Sequence, residues 1–205
     1  MAATRIRRAP EESRRAILQA AEELLVEGGL DAVSVRAVAK RIGMTDAGVA
    51  HHFGSRQDLL VSLLRYGGRR IREAVEQAVA SWVDGHADID TLVRAISRVY
   101  DQGYAELAVA LHAAGWEDTG VGFLEPVVQI LHTARTRPGP LSDTRLAVAA
   151  LHQALALDAT YGAAFRRSAG ISEAAAKRPS PQRTWWTNTL RSTLGLPDAN
   201  DDFKR

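Results

Sequence analysis

The sequence predicts an all-α protein with a short helical N-terminal module and a longer helical remainder, roughly nine helices in all. Three observations carry that expectation. Apolar residues recur at three- and four-residue steps in block after block, strand-like alternation is absent throughout, and serine, threonine or glycine stands at the block ends. The 205 residues are 46% hydrophobic and 24% charged, enough apolar material for one or two compact modules.

The first block holds Ile17, Leu18, Ala21, Leu24 and Leu25, with Glu22, Glu23 and Glu27 on the other face, so a helix is expected over 14–28, ending at Gly28-Gly29. Ser34 stands before Val35, Val38, Ala39 and Ile42 as the N-cap of a second, short helix that stops at Gly43. Thr45 or Asp46 opens a third segment ending at Phe53. Ser55 opens a fourth, which carries Leu59, Leu60, Leu63, Leu64 and Ile71 toward Trp82 despite Gly67-Gly68. Further helices are expected at about 88–101, 103–115, 121–136, 143–168 and 182–194. Pro126 fits the first turn of its helix, Pro138-Gly139-Pro140 and 168–181 read as connections, and 196–205 reads as a polar tail.

No apolar run reaches the ~18 residues of a membrane span, so no membrane partner is expected. The N-terminal Arg5, Arg7 and Arg8 are not followed by the apolar stretch of a signal peptide, and a cytoplasmic location is expected. With no cysteine, disulfides, thiolate catalysis, iron–sulfur ligation and Cys-type zinc sites are excluded. The net charge of +2 decides little by itself; where the positive charge sits matters more.

Residues 35–54 have the spacing of a helix-turn-helix. Ala39 is small where the helices approach, Gly43 stands in the turn, and Val38, Ile42, Met44 and Val49 lock the pair together. Arg36, Lys40, Arg41 and Arg56 face only Asp46 in charge, a local surplus of three. The third helix opens with small or polar groups, Thr45, Asp46, Ala47 and Gly48, so it can lie deep in a DNA major groove, with His51 and His52 near its other end. Phosphate contacts are expected from Arg36, Arg56 and a histidine, and base-edge contacts from Thr45, Asp46 and Ala47. Asp46 can accept from cytosine N4, and the Ala47 methyl can meet a thymine methyl. His51 and His52, adjacent on a helix, point ~100° apart and cannot share one metal ion.

From Arg14 to Leu60 the chain resembles the N-terminal domain of the TetR (tetracycline-repressor-like) family of transcription regulators. The resemblance rests on residues 15–21, Glu27-Gly28-Gly29-Leu30, residues 34–39 led by Ser34, and His52-Phe53-Gly54-Ser55-Arg56-Gln57-Asp58-Leu59-Leu60. Two positions depart from the family pattern. Ala50 stands where a backbone-contacting tyrosine is usual, and Arg56 where a lysine is usual. The resemblance implies a flexible basic arm at 1–13, a helix-turn-helix DNA-binding domain at 14–54 that includes Ser34 and Gly48 in the interface, and a helical ligand-binding and dimerisation domain at 55–195. It also implies a double-stranded operator and a small-molecule effector.

In the remainder, the candidate pocket residues are Trp82, Tyr100, Tyr104, His112, Trp116, Phe123, His132 and Tyr161, with Trp116 and Phe123 at the mouth. The aromatic supply favours a hydrophobic or amphipathic effector. Helix 143–168 is apolar nearly all round and needs cover on both sides. A homodimer seam is therefore expected at Leu151, Leu155, Trp185, Trp186 and Leu190. No cofactor, metal or catalytic constellation stands out. A helical enzyme and a sequence-independent DNA-packaging protein are the alternatives.

Overall fold

The computed structural model describes residues 9–80, 89–117, 122 and 124–196. Trp82, Phe123, arm residues 1–8 and the tail from 197 lie outside the described residues. All regular structure among those described is helical. By Cα proximity the chain divides into two compact units, Met1–Gly67 with Leu107–Gly115, and Gly68–Glu106 with Trp116–Arg205.

In the first unit, α1 (Pro10–Ala32) starts earlier than its apolar spacing suggests. Pro10 pre-sets the first turn, Glu11 and Glu12 favour the positive helix end, and the Ala9 amide donates to Glu12 Oε2 at 3.2 Å. The helix is interrupted at Gly29, whose φ is 68°, and one more turn runs to Ala32. The N-cap of α2 (Val35–Ile42) is Ser34, whose Oγ accepts from the Ala37 amide at 3.1 Å. Gly43 closes α2 at φ 68° and ψ 31°, a left-handed conformation in which a β-carbon would be strained. It turns the chain into α3 (Asp46–Phe53). Fully buried Val38, Ala39 and Val49 fill the joint where α2 packs on α1 and α3. Ala39 has no methyl to spare there, which is why a small residue suits the position. Long α4 (Arg56–Ala80) begins on a reciprocal Ser55–Asp58 cap, and Gly67 and Gly68 both lie within its range.

In the second unit, α5 (Ile89–Val99) continues into a π-helical turn (Tyr100–Tyr104) that is interrupted at Gly103, whose φ is 93°; α6 (Ala105–Ala113) follows in sequence, most of it belonging to the first unit. Then come α7 (Glu125–Ala134), with Pro126 in its first turn, and α8 (Leu141–Ser168). Within this unit α8 is central, packed by α5, the π-turn, α7, α9 (Glu173–Ala176) and α10 (Ser180–Leu194). Its buried stripe is Thr144, Val148, Leu151, Leu155, Gly162 and Arg166, in steps of three, four and seven residues that keep to one face. The stretch 168–181, read from sequence as a connection, contains α9 and the start of α10.

The ion pair inside α8 explains part of that difference. Arg166 Nη1 donates to Asp158 Oδ1, and Arg166 Nε donates 2.7 Å to the Ala176 carbonyl, which fixes α9 against α8. The two charges are eight residues apart and lie over Gly162 between them. A β-carbon on Gly162 would collide with the Asp158 carboxylate and come within 3.0 Å of Arg166 Nη1. Arg183 of α10 joins the cluster, bonded to Asp101 at 2.7 Å and standing 3.6 Å from Asp158 Oδ2.

Candidate nucleic-acid interface

The recognition helix α3 has one buried and one open face. Val49 and Phe53 anchor it inward, while Thr45, Asp46, Ala47 and His51 are exposed; Gly48 and His52 are half-buried. The small side chains at its N-terminal end leave the backbone accessible to a deep groove. Thr45 Oγ1 accepts from the Gly48 amide at 3.1 Å, so its oxygen serves first as the N-cap. A β-carbon at Gly48 would press within 3.1 Å of Met44 and 3.2 Å of the Thr45 hydroxyl, which gives this glycine a packing reason. Ser34 is likewise a cap before it is anything else.

The four cations of the motif are not equivalent. Arg41 forms a two-pronged pair with Glu27, at 2.8 and 2.5 Å, and reaches Glu23 at 3.5 Å. That guanidinium holds the Glu27 carboxyl below the usual carboxylate range. Arg56 donates from Nε to the Val33 carbonyl at 2.7 Å and from Nη2 to the Leu30 carbonyl at 2.9 Å. The Leu30 carbonyl also accepts from the Val33 amide at 3.2 Å, so Arg56 adds a second donor there, caps the Val33 carbonyl and ties the start of α4 to the end of α1. Arg36 and Lys40 stand exposed on α2.

A further basic residue, which the motif spacing did not bring forward, supports α3 from behind. Arg14 of α1 donates from Nη1 to the His52 carbonyl, and its guanidinium carbon lies 4.4 Å from the centre of the Phe53 ring. Its sequence signal is slight: a cation three and four residues before buried Ile17 and Leu18, hence at the edge of the buried face.

Residues 17–63 match the family model described as bacterial regulatory proteins, tetR family. The N-terminal domain of this chain is of the TetR family. Among curated relatives, the HTH-type transcriptional repressor AcnR of Corynebacterium glutamicum is 31% identical over 68 residues, 33% of this chain and 36% of the relative. The HTH-type transcriptional repressor KstR2 of Rhodococcus jostii is 28% identical over 96 residues, 47% of each chain. The chain therefore matches about a third to a half of the length of these relatives. In fold the likeness extends further. A protein of unknown function from Rhodococcus sp. RHA1 superimposes with a TM-score of 0.61 at 23% identity, over 96% of this chain and 100% of the other. Mycobacterium smegmatis BioQ gives 0.54 at 18% identity, over 88% and 97%.

Outside the TetR-type domain, the structure distributes the expected pocket residues rather than gathering them. Tyr100 and Tyr104 are buried in the second unit, where the Tyr100 hydroxyl shares a hydrogen bond with His152 Nε2. Burial pushes the tyrosine pKa up and the His152 imidazole pKa down, so both are neutral at pH 7. His132 is bonded to Thr144 Oγ1 at 3.1 Å. Tyr161 is 45% exposed beside Phe165, Trp116 is half-buried, and His112 is exposed. A groove of about 250 Å³ lies elsewhere in the second unit, with Leu157, Phe165, Ile171 and Trp186 among its walls. None of the expected pocket residues that are described lines it.

The expected seam also divides. Leu151, Leu155 and Leu190 are 5%, 1% and 4% exposed within the protomer, so they lie in its own core. Trp185 is 55% exposed and packs edge-on against half-buried Trp186. The open apolar stripe on α8 is one face further round, at Leu146, Tyr161 and Phe165, 70%, 45% and 57% exposed.

Proposed function

We propose that the protein is a ligand-responsive transcription regulator, a repressor in its simplest form, that binds a palindromic double-stranded DNA operator as a cytoplasmic homodimer. The observation that carries this reading is α3 itself: a capped, inwardly anchored helix whose exposed start bears only Thr45, Asp46 and Ala47, beside the exposed cations Arg36 and Lys40. The similarity to the transcriptional repressors AcnR and KstR2, over 68 and 96 residues, supports it. Asp46 and Ala47 face base edges, Arg36, Lys40 and His51 face phosphate, and two such helices one helical turn apart read the two half-sites.

The partner surface we assign is the apolar stripe Leu146, Tyr161 and Phe165 with Trp185, covered by the same stripe of a second copy. Large exposed apolar side chains at helical spacing are what an isologous interface presents, and a two-fold operator calls for a two-fold protein. A hydrophobic or amphipathic effector, bound in the second unit, releases the operator by binding better to the form whose two heads do not match it. No helix among the described residues is long and apolar enough to cross a membrane. Asp46→Ala tests the base-reading role without touching the N-cap. It is expected to relax the preference at one operator position by ~1–3 kcal/mol in a competition binding assay. Unchanged base preferences would show that α3 enters the groove in another register.

A further inference from the structure

The contact between Arg14 and the far end of α3 has a use beyond holding the domain together. A recognition helix of eight residues is a short rod whose reading end, Thr45 to Ala47, lies at the opposite terminus from its anchor. At ~1.5 Å per residue the two ends are ~10 Å apart, so a tilt of ~10° about the anchored end displaces the reading end by ~2 Å. Specific polar contacts need placement within ~0.5 Å. The orientation of α3 therefore has to be fixed at its C-terminal end as firmly as its position.

Two groups there are suited to this. The His52 carbonyl is one of the last-turn acceptors left open by the helix, and that end carries the negative pole of the helix dipole. The Phe53 ring points inward and is 7% exposed. Arg14 engages both, donating from Nη1 to the carbonyl and holding its guanidinium carbon 4.4 Å from the centre of the ring. The hydrogen bond and the ring contact together hold the C-terminal end of α3 at two points. The adjacent Gly54 amide closes the helix on the Ala50 carbonyl at 2.7 Å, so the Arg14 contact complements the backbone closure instead of replacing it.

We infer that Arg14 is a positioning residue for sequence reading: it does not touch DNA, and it sets the angle at which α3 presents Asp46 and Ala47 to the bases. This rests on the DNA-binding reading above. Lysine cannot reproduce it, because a compact ammonium cannot both donate to His52 and reach over the Phe53 ring as the broader guanidinium does.

The test starts from a random-sequence DNA pool enriched by rounds of binding to the wild-type protein. The affinities of wild type, Arg14→Met and Arg14→Lys are then measured for the enriched sequence and for scrambled DNA across a salt series. Arg14→Met is expected to lose ~30-fold or more on the enriched sequence and less than ~3-fold on scrambled DNA, with an unchanged salt slope; Arg14→Lys is expected to fall between. Equal losses on both DNAs, with the slope magnitude reduced by about one, would overturn the inference and make Arg14 a phosphate contact. Unchanged discrimination by both variants would also overturn it. Loss of helical circular dichroism in both would assign Arg14 to folding alone. If the wild-type protein enriches no sequence, the DNA-binding reading itself falls, a result separable from any behaviour of the variants.

Discussion

Glutamate in place of Phe165 on α8, or of Trp185 on α10, is expected to leave a folded protomer that sediments as a monomer and binds operator DNA at least ~100-fold more weakly. Both side chains are more than half exposed in the protomer, so a carboxylate there is solvated and costs the isolated fold little. In the proposed dimer the same carboxylate would be buried against a partner's apolar stripe without a counter-charge, a penalty of several kcal/mol. Each half-site alone supplies too little binding energy to hold a monomer at the full operator. Leu151→Glu provides the contrast. Because Leu151 is in the protomer core, that variant is expected to lose the fold rather than the partner. Sedimentation with circular dichroism reads both outcomes. A folded Phe165→Glu variant that still sediments as a dimer would move the seam to another face.

The second large effect is expected at the buried charges of α8. Asp158→Ala removes the main counter-charge of Arg166, whose side chain is only 7% exposed and whose other partner is the Ala176 carbonyl. Breaking a buried pair from one side typically costs ~3–5 kcal/mol, since the remaining ion keeps its desolvation penalty. Gly162→Ala attacks the same pair from between: a β-carbon would stand 2.8 Å from the Asp158 carboxyl carbon and force the carboxylate out of its place. Removing both charges, as in Asp158→Leu with Arg166→Met, is expected to recover most of the loss, because no uncompensated ion is left. Urea unfolding measures all three. A cost below ~1 kcal/mol for Asp158→Ala would mean that the pair is effectively solvated.

What the sequence made legible was whatever is local. Ser34, Gly43 and the steps through Val38 and Ile42 state the helix-turn-helix within ten residues, because capping and turn chemistry depend on near neighbours. The all-α class and Pro126 in the first turn of α7 were legible for the same reason. What stayed hidden depends on partners far along the chain. Arg56 looks like a free cation until the carbonyls of Leu30 and Val33 are seen beneath it, and Arg41 until Glu27 is. The short α9 is held by Arg166 rather than by its own four residues. Leucine periodicity showed that α8 has two apolar faces, but not which face the protomer keeps. The stripe of Leu151 and Leu155 went inward, and the stripe of Leu146 and Phe165 stayed open. Asp158 and Arg166, eight residues apart with Gly162 midway between them, were a usable signal of a buried pair.

Sequence preference on DNA is the property that most directly separates a regulator from a packaging protein or an enzyme. The decisive measurement is a competition mobility shift at physiological salt between DNA enriched from a random pool and the same DNA scrambled. A dimeric regulator reading bases through α3 is expected to prefer the enriched sequence by ~10³-fold or more, and that sequence is expected to be an inverted repeat. Equal affinity for the two DNAs would contradict the account.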